Sequence, residues 1–163
     1  MNSLKEGDII PEFSLRDQNG NIFDIKSVLG RKNIVIYFYP KDSSPGCTRQ
    51  ACNFRDHSDA FDEAGAVVIG ISGQSVESHK VFADKYNLVY PLLSDTGNKV
   101  RKMFGVPSSF FGLIPGRVTY VANKQGKIIS VYNSQTKIDN HIDEAFKVAL
   151  MLKKDGTGQK PPL

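Results

Sequence analysis

The sequence predicts a mixed α/β fold, with one central sheet covered by helices around a strand–helix–strand unit in the first half of the chain. Three observations predict it. "NIVIYFY" (33–39) is an almost continuous apolar run, as expected of a strand buried on both faces. "AVVIGIS" (66–72) is a second such run. Between them Ala51, Phe54, Ser58 and Phe61 follow Cys47 at i+4, i+7, i+11 and i+14, one stripe of a helix. A helix joining two neighbouring parallel strands makes a right-handed crossover.

The elements follow in order. "FSLRDQNGNIFDI" alternates on both sides of Asn19-Gly20, a short-range hairpin signal. After the 33–39 strand, the helix starts behind Ser44, runs to about Ala64 and closes at Gly65. "SVESHKVFADKYN" predicts a second helix with His79, Phe82, Ala83 and Tyr86 inward. Leu92 and Leu93 begin a short strand, and "NKVRKMFG" is a short helix ended by Gly105. "GRVTYVANKQGKIISVY" reads as a second hairpin turning at Lys124 to Gly126. Thr136 and Asp139 offer a capping box for a final helix with Ile138, Ile142, Ala145, Phe146 and Ala149 inward. An N-terminal hairpin extension before such a unit, then a hairpin and a terminal helix, predicts a thioredoxin-like α/β sandwich. The 163 residues suffice for one domain with a core that needs no staples, and "KKDGTGQKPPL" (153–163) is expected to be a flexible tail.

Composition excludes several classes. No stretch approaches about 18 apolar residues, so no membrane insertion is expected. The net charge is +4, but the 21 Lys and Arg are scattered rather than gathered in a stripe, which argues against a nucleic-acid partner. His57, His79 and His141 share no metal-ligand spacing and are expected to be surface or satisfied structural residues. Lys41 and Asp42 are expected to be solvated charges, with Lys41 placed to help attract a small substrate or a partner.

The two cysteines, five positions apart, are too few for a disulfide framework or a four-ligand zinc site. They read as a redox pair or as two inert thiols. With Ser44 as N-cap, Pro45 at N1 and Gly46 at N2, Cys47 falls at N3. Free amides and the helix dipole there favour the thiolate, the nucleophilic form of cysteine. The Ser44 hydroxyl can reach toward the sulfur or toward whatever it attacks, and Arg117 or Arg49 can supply a cation. Cys52 lies about 7.5 Å of rise and about 140° of rotation further on, a Cα separation of about 8.7 Å. A disulfide needs roughly 4.4 to 6.8 Å. If the two sulfurs join, the first turns of the helix must unwind. Singly, each residue has a plainer reading: Cys47 and Cys52 as small hydrophobes, Pro40 as a strand stop, Ser44 as a cap only.

Together, "YFYPKDSSPGCTRQACNFRD" resembles the active-site segment of peroxiredoxins of the Q type, also called bacterioferritin-comigratory proteins. The family's Pro-x-x-x-Thr/Ser-x-x-Cys pattern falls on Pro40, Ser44 and Cys47, its helical second cysteine on Cys52, and its "PGR-x-TYV" segment on Pro115 to Val121, which brings in Arg117. The similarity runs from about Gly7 to about Leu152, through "VIGIS", "LLSDTGNKVRK" and "HIDEA". Ser44 replaces the commoner Thr, and Gln50 stands where many relatives have Glu. The resemblance implies a thiol peroxidase acting on hydrogen peroxide and organic hydroperoxides. Cys47 would be the peroxidatic nucleophile, with Ser44, Arg117 and the amides around Gly46 holding the peroxide and Pro40 shielding the oxidised sulfur. Cys52 would resolve Cys47 as an intramolecular disulfide that thioredoxin or a similar dithiol protein reduces. It implies no metal, haem, flavin or nucleotide cofactor, and a monomer. "FGLIPGRVTYV" resembles plastid and cyanobacterial members, while "MNSLKEGDIIPEF" lacks signal and transit patterns. The expected compartment is therefore a bacterial cytoplasm, or the chloroplast for a trimmed plastid protein.

Two other functions compete. A thioredoxin-like oxidoreductase is disfavoured because C-x-x-x-x-C is not a preformed C-x-x-C pair. A binding or holdase module would leave Ser44, Cys47 and Arg117 a coincidence. "VPSSFFGLIPG" (106–116), apolar yet loop-like, is expected either to fold over the core or to form a hydrophobic rim beside the cysteine pocket through Phe110, Phe111, Leu113 and Ile114.

Overall fold

The computed structural model describes residues 3–109 and 112–154. Strands β1 (Ser14–Arg16) and β2 (Ile22–Asp24) form the predicted hairpin, with Arg16 opposite Ile22 and Gly20 in the left-handed conformation at the turn. β3 (Asn33–Phe38) follows, buried at every residue. Helices α1 (Pro45–Asp56) and α2 (Ser58–Glu63) lead to β4 (Ala66–Ser72), which pairs in parallel with β3 from Asn33↔Ala66 to Phe38↔Ile71. α3 (Val76–Tyr86) leads to β5 (Leu92–Ser94), parallel to β4. α4 (Lys99–Phe104) precedes a two-residue ladder of β6 (Ser108–Ser109) and β7 (Ile114–Pro115). β8 (Val118–Ala122), β9 (Ile128–Asn133) and α5 (Ile138–Lys154) complete the chain. The main sheet runs β2-β1-β5-β4-β3-β8-β9, a mixed sheet because β3, β4 and β5 are parallel while β8 is antiparallel to β3.

β3 explains why its sequence lacks polar alternation. Val35, Tyr37 and Tyr39 enter a core with Phe54 of α1, Phe61 of α2, Phe82 of α3 and Ala149 of α5. Ile34, Ile36 and Phe38 enter a second core with Ile10, Phe13, Val100 and Phe104, so the N-terminal segment and α4 cover the other face. Tyr37 stacks on Phe54 with ring centroids 4.6 Å apart, which docks α1 on the strand that precedes it.

Four expectations are corrected. The single helix to Ala64 is interrupted at His57 (φ −103°, ψ 7°), whose Nδ1 donates to Asn53 O and competes for a carbonyl of the helical ladder. The Thr136–Asp139 capping box does not form. The Asp139 carboxylate turns instead to Arg49 and Asn53 of α1, and Ser134 Oγ accepts from Lys137 N at 3.0 Å. Lys153 and Lys154 end α5 rather than opening a tail, and 155–163 lie outside the described residues. The cover over the core expected of 106–116 gives way to the β6–β7 ladder, with Leu113 and Ile114 exposed, while Phe110 and Phe111 of the alternative hydrophobic rim lie outside the described residues.

Candidate active site

β3 ends at Phe38 and hands the chain through Tyr39 and half-buried Pro40 to a loop that reverses at Ser43, a non-glycine in the left-handed region (φ 65°). Ser44 then has N-cap backbone geometry (φ −69°, ψ 151°), and its carbonyl accepts from Thr48 N at 2.8 Å to start α1. Cys47 therefore sits at N3 and is almost fully buried, 1% exposed. Among the described residues no backbone carbonyl accepts from the Gly46 or Cys47 N–H, so both remain free to meet an oxygen.

The Ser44 hydroxyl departs from its expected place. It makes no cap bond and no bond to sulfur, but donates to Lys41 O at 3.1 Å. Of the two arginines expected to supply a cation, Arg49 is exposed and paired with Asp139 on the outer face of α1. Arg117 is the one at the sulfur. Carried at the entry to β8 and 5% exposed, it donates from Nη2 to Cys47 Sγ at 3.3 Å, from Nη1 to Gln50 Oε1 at 2.6 Å and from Nε to Gln135 O at 3.3 Å. Among the described residues no carboxylate pairs with Arg117. Its positive charge therefore faces the sulfur unopposed, in surroundings where water screens little. Gly46 is what lets it approach: a Cβ there would stand 3.2 Å from Arg117 Nη2 and 3.5 Å from Ile138 Cδ1.

Cys52 is half-buried, five residues along an unbroken α1, and both cysteines are free thiols. Next to it the Ala51 carbonyl accepts from Tyr90 Oη at 2.8 Å, and Tyr37 Oη lies 2.7 Å from Tyr90 Oη. Because Tyr90 spends its proton on Ala51 O, Tyr37 is the donor between the two. Burial pushes both phenols above their ordinary range, so they stay protonated donors.

Gln50, Asp42 and Arg101 went unassigned or misassigned in the sequence, whereas His79 and His141 are the satisfied structural residues expected. Gln50, three residues after Cys47, is fully buried with its Nε2 unpartnered. A polar residue on the apolar stripe of α1 was the available signal. Asp42 is not solvated but 6% exposed, accepting from Tyr39 Oη at 2.6 Å, Ser78 Oγ at 2.8 Å and His79 Nδ1 at 2.6 Å. Burial alone would raise its carboxyl, but the His79 hydrogen bond and charge, with the two hydroxyls, outweigh that and hold it below the ordinary range. His79 Nε2 lies 3.1 Å from Leu93 O, so both ring nitrogens face acceptors. His141 is also a satisfied structural residue. Its Nε2 donates to Ser134 O at 2.7 Å and its Nδ1 accepts from Thr119 Oγ1 at 2.8 Å, fixing one neutral tautomer. Arg101, buried on α4, joins the chain on either side of the site.

A strand–loop–helix that buries a cysteine at N3 against an unpaired arginine, on a thioredoxin-like sheet, defines a cysteine-based peroxidase. A model of the AhpC/TSA family matches residues 7–131, and the chain belongs to that family and, within it, to the Q-type peroxiredoxins. It is 53% identical over 150 residues to the chloroplastic peroxiredoxin Q of Sedum lineare, covering 92% of this chain and 80% of that one. It is 54% identical over 144 residues to the chloroplastic peroxiredoxin Q of Arabidopsis thaliana, covering 88% of this chain and 66% of that one. Among solved structures, the peroxidoxin BcpB of Mycobacterium tuberculosis superposes with a TM-score of 0.85 at 34% identity, covering 91% of this chain and 98% of that one. The protein is a peroxiredoxin-type thiol peroxidase, using a hydroperoxide as oxidant and a thiol as reductant. No helix among the described residues is long and apolar enough to cross a membrane.

Proposed function

We propose that Cys47 reduces hydrogen peroxide and organic hydroperoxides by direct attack on the O–O bond. Its thiolate takes the terminal oxygen, and the bond's electron pair leaves on the second oxygen, which gains a proton to become water or an alcohol. The sulfur is left as a sulfenic acid. The contact of Arg117 Nη2 with Cys47 Sγ, 3.3 Å, carries this reading. The guanidinium balances the thiolate before attack and the charge on the departing oxygen during it. The free N–H groups of Gly46 and Cys47 add donors to the same oxygen. Ser44, its proton committed to Lys41 O, offers lone pairs to the peroxide O–H. Pro40 shields the sulfenic acid from water. The neutral Gln50 amide orients Arg117 without cancelling its charge.

Cys52 then attacks the Cys47 sulfur, an S–S bond forms and water leaves. Because about 8.7 Å separates the two Cα atoms in a regular helix, this step requires α1 to unwind first. Thioredoxin or a similar dithiol protein returns both thiols and leaves as its own disulfide. Since both cysteines lie in one helix, the cycle needs no second subunit, and the chain works as a one-domain monomer. The plastid relatives support the chloroplast as its compartment in a photosynthetic source, and the cytoplasm is its compartment in a bacterium. Cys47→Ser is expected to abolish peroxide consumption with the fold intact. Cys52→Ser is expected to keep the first oxidation but lose turnover with thioredoxin. Peroxide consumption that survives in Cys47→Ser overturns the reading.

A further inference from the structure

We propose that Arg101 is a positioning residue that fixes the width of the peroxide cleft, by tying the chain just before Pro40 to the chain just before Arg117. The inference rests on Cys47 being the attacking residue. The β3–β8 ladder ends at the pair Phe38↔Val118. Beyond it, among the described residues, Pro40 and Arg117 are not bonded to each other across the two strands; each chain is held only on its far side, by Tyr39 N donating to Ile71 O at 3.1 Å and Ser134 N donating to Arg117 O at 3.2 Å. Arg101 fills that gap, donating from Nη2 to Tyr39 O at 3.2 Å and from Nη1 to Gly116 O at 3.1 Å. One planar fork thus sets the separation of two carbonyls, each one residue before a member of the site.

The setting keeps the fork rigid. Arg101 is 8% exposed and its Cζ lies 5.6 Å from the centre of the Phe38 ring. Its own N–H is held by Asp95 Oδ2 at 2.9 Å and that of Val100 by Asp95 Oδ1 at 3.0 Å, anchoring the start of α4. Among the described residues no carboxylate pairs with its guanidinium. A buried arginine without an ion pair is costly to keep, and an apolar side chain would fill the space more cheaply. The far side of the clamp is equally constrained. A Cβ at Gly116 would come within 1.9 Å of Pro107 O, so Gly116 is pressed between that carbonyl and the guanidinium. Among the described residues Arg101 makes no hydrogen bond to the sulfur or to the side chain of Arg117. It acts on the reaction only through where Pro40 and Arg117 stand.

The test compares wild type with Arg101→Met and Arg101→Lys, the latter keeping the charge but not the two-pronged planar geometry. Two rates are read in each: oxidation of Cys47 by hydrogen peroxide in single turnover, and its alkylation by iodoacetamide, which needs a reachable thiolate but no fit to an O–O bond. Peroxide oxidation is expected to fall by about 100-fold in both variants, the cost of a misplacement of about 1 Å. Alkylation is expected to change far less, with native circular dichroism. Equal losses in the two rates, restoration of the peroxide rate by lysine, an unchanged peroxide rate, or failure of both variants to fold each overturn the proposal. If wild type itself does not react with peroxide, the assignment of Cys47 fails instead, and the two failures are told apart in one experiment.

Discussion

Tyr90→Phe tests the coupling between helix opening and disulfide closure. Tyr90 Oη donates to the carbonyl of Ala51, the residue before Cys52, so its hydrogen bond exists only while this part of α1 is wound. A neutral hydrogen bond contributes about 1 kcal/mol net, so its loss should shift the opening of α1 by about fivefold. Tyr37, which donates to Tyr90 at 2.7 Å, loses its acceptor in the wound and unwound states alike. That cost cancels in the opening equilibrium but appears in global stability, as about 1 to 3 kcal/mol or about 3 to 9 °C in Tm. Stopped-flow addition of peroxide to the reduced protein, with acid quench and mass analysis, separates sulfenic acid from disulfide. The expected result is an unchanged first step, a disulfide step about fivefold faster, and a lower Tm. A disulfide step at the wild-type rate despite the lower Tm would refute the idea that unwinding at Ala51 limits closure.

Three further outcomes follow from the same contacts. Gly46→Ala should lower the peroxide rate by about tenfold or more, because its Cβ would push Arg117 Nη2 from 3.2 Å. Its stability should not fall, since alanine is favoured over glycine in a helix by up to about 1 kcal/mol; full activity in this variant would remove the steric argument. Burial first, then the Arg117 charge, lowers His141 to about 4 against the opposing pull of its Ser134 bond. The unfolded chain therefore binds the extra proton first, so stability is full above about pH 6.5 and declines toward pH 4, by about 2 kcal/mol at pH 5. His141→Gln should flatten that part of a denaturation-versus-pH curve, and an unchanged slope would locate the titration elsewhere. Asp42→Asn removes the buried carboxylate that accepts from Tyr39, Ser78 and His79 and should cost about 3 kcal/mol by urea unfolding; a cost below about 1 kcal/mol would mean that this network holds no more than an exposed pair does.

Elements whose signal is local were legible in the sequence. The 33–39 run, the Asn19-Gly20 turn and the Ser44-Pro45-Gly46-Cys47 start of α1 each follow from adjacent residues, and they recur within a residue or so in the structure. What escaped depends on contacts distant along the chain. Asp139 is drawn from its cap to Arg49 and Asn53, about ninety positions away. Asp42 looked solvated because its partner His79 arrives from another helix. The break at His57 comes from a side chain competing with its own helix, which apolar spacing does not register. For the site, a spaced motif brought out Cys47 and Arg117, and the structure adds their 3.3 Å contact. The Ser44 hydroxyl's turn to Lys41 O and the clamp by Arg101 are bonds to backbone carbonyls, which carry no side-chain signal in the sequence.

The core of the mechanism is reaction of Cys47 with peroxide and its resolution by Cys52 through unwinding of α1. It is tested most directly by adding one equivalent of hydrogen peroxide to the fully reduced protein without oxygen, following thiol count, non-reducing mass and far-UV circular dichroism together. Rapid loss of both thiols, a monomer lighter by two hydrogens, and a drop in helical signal are expected of this mechanism. Thiols that persist for minutes, or a disulfide formed with no loss of helix, would contradict it.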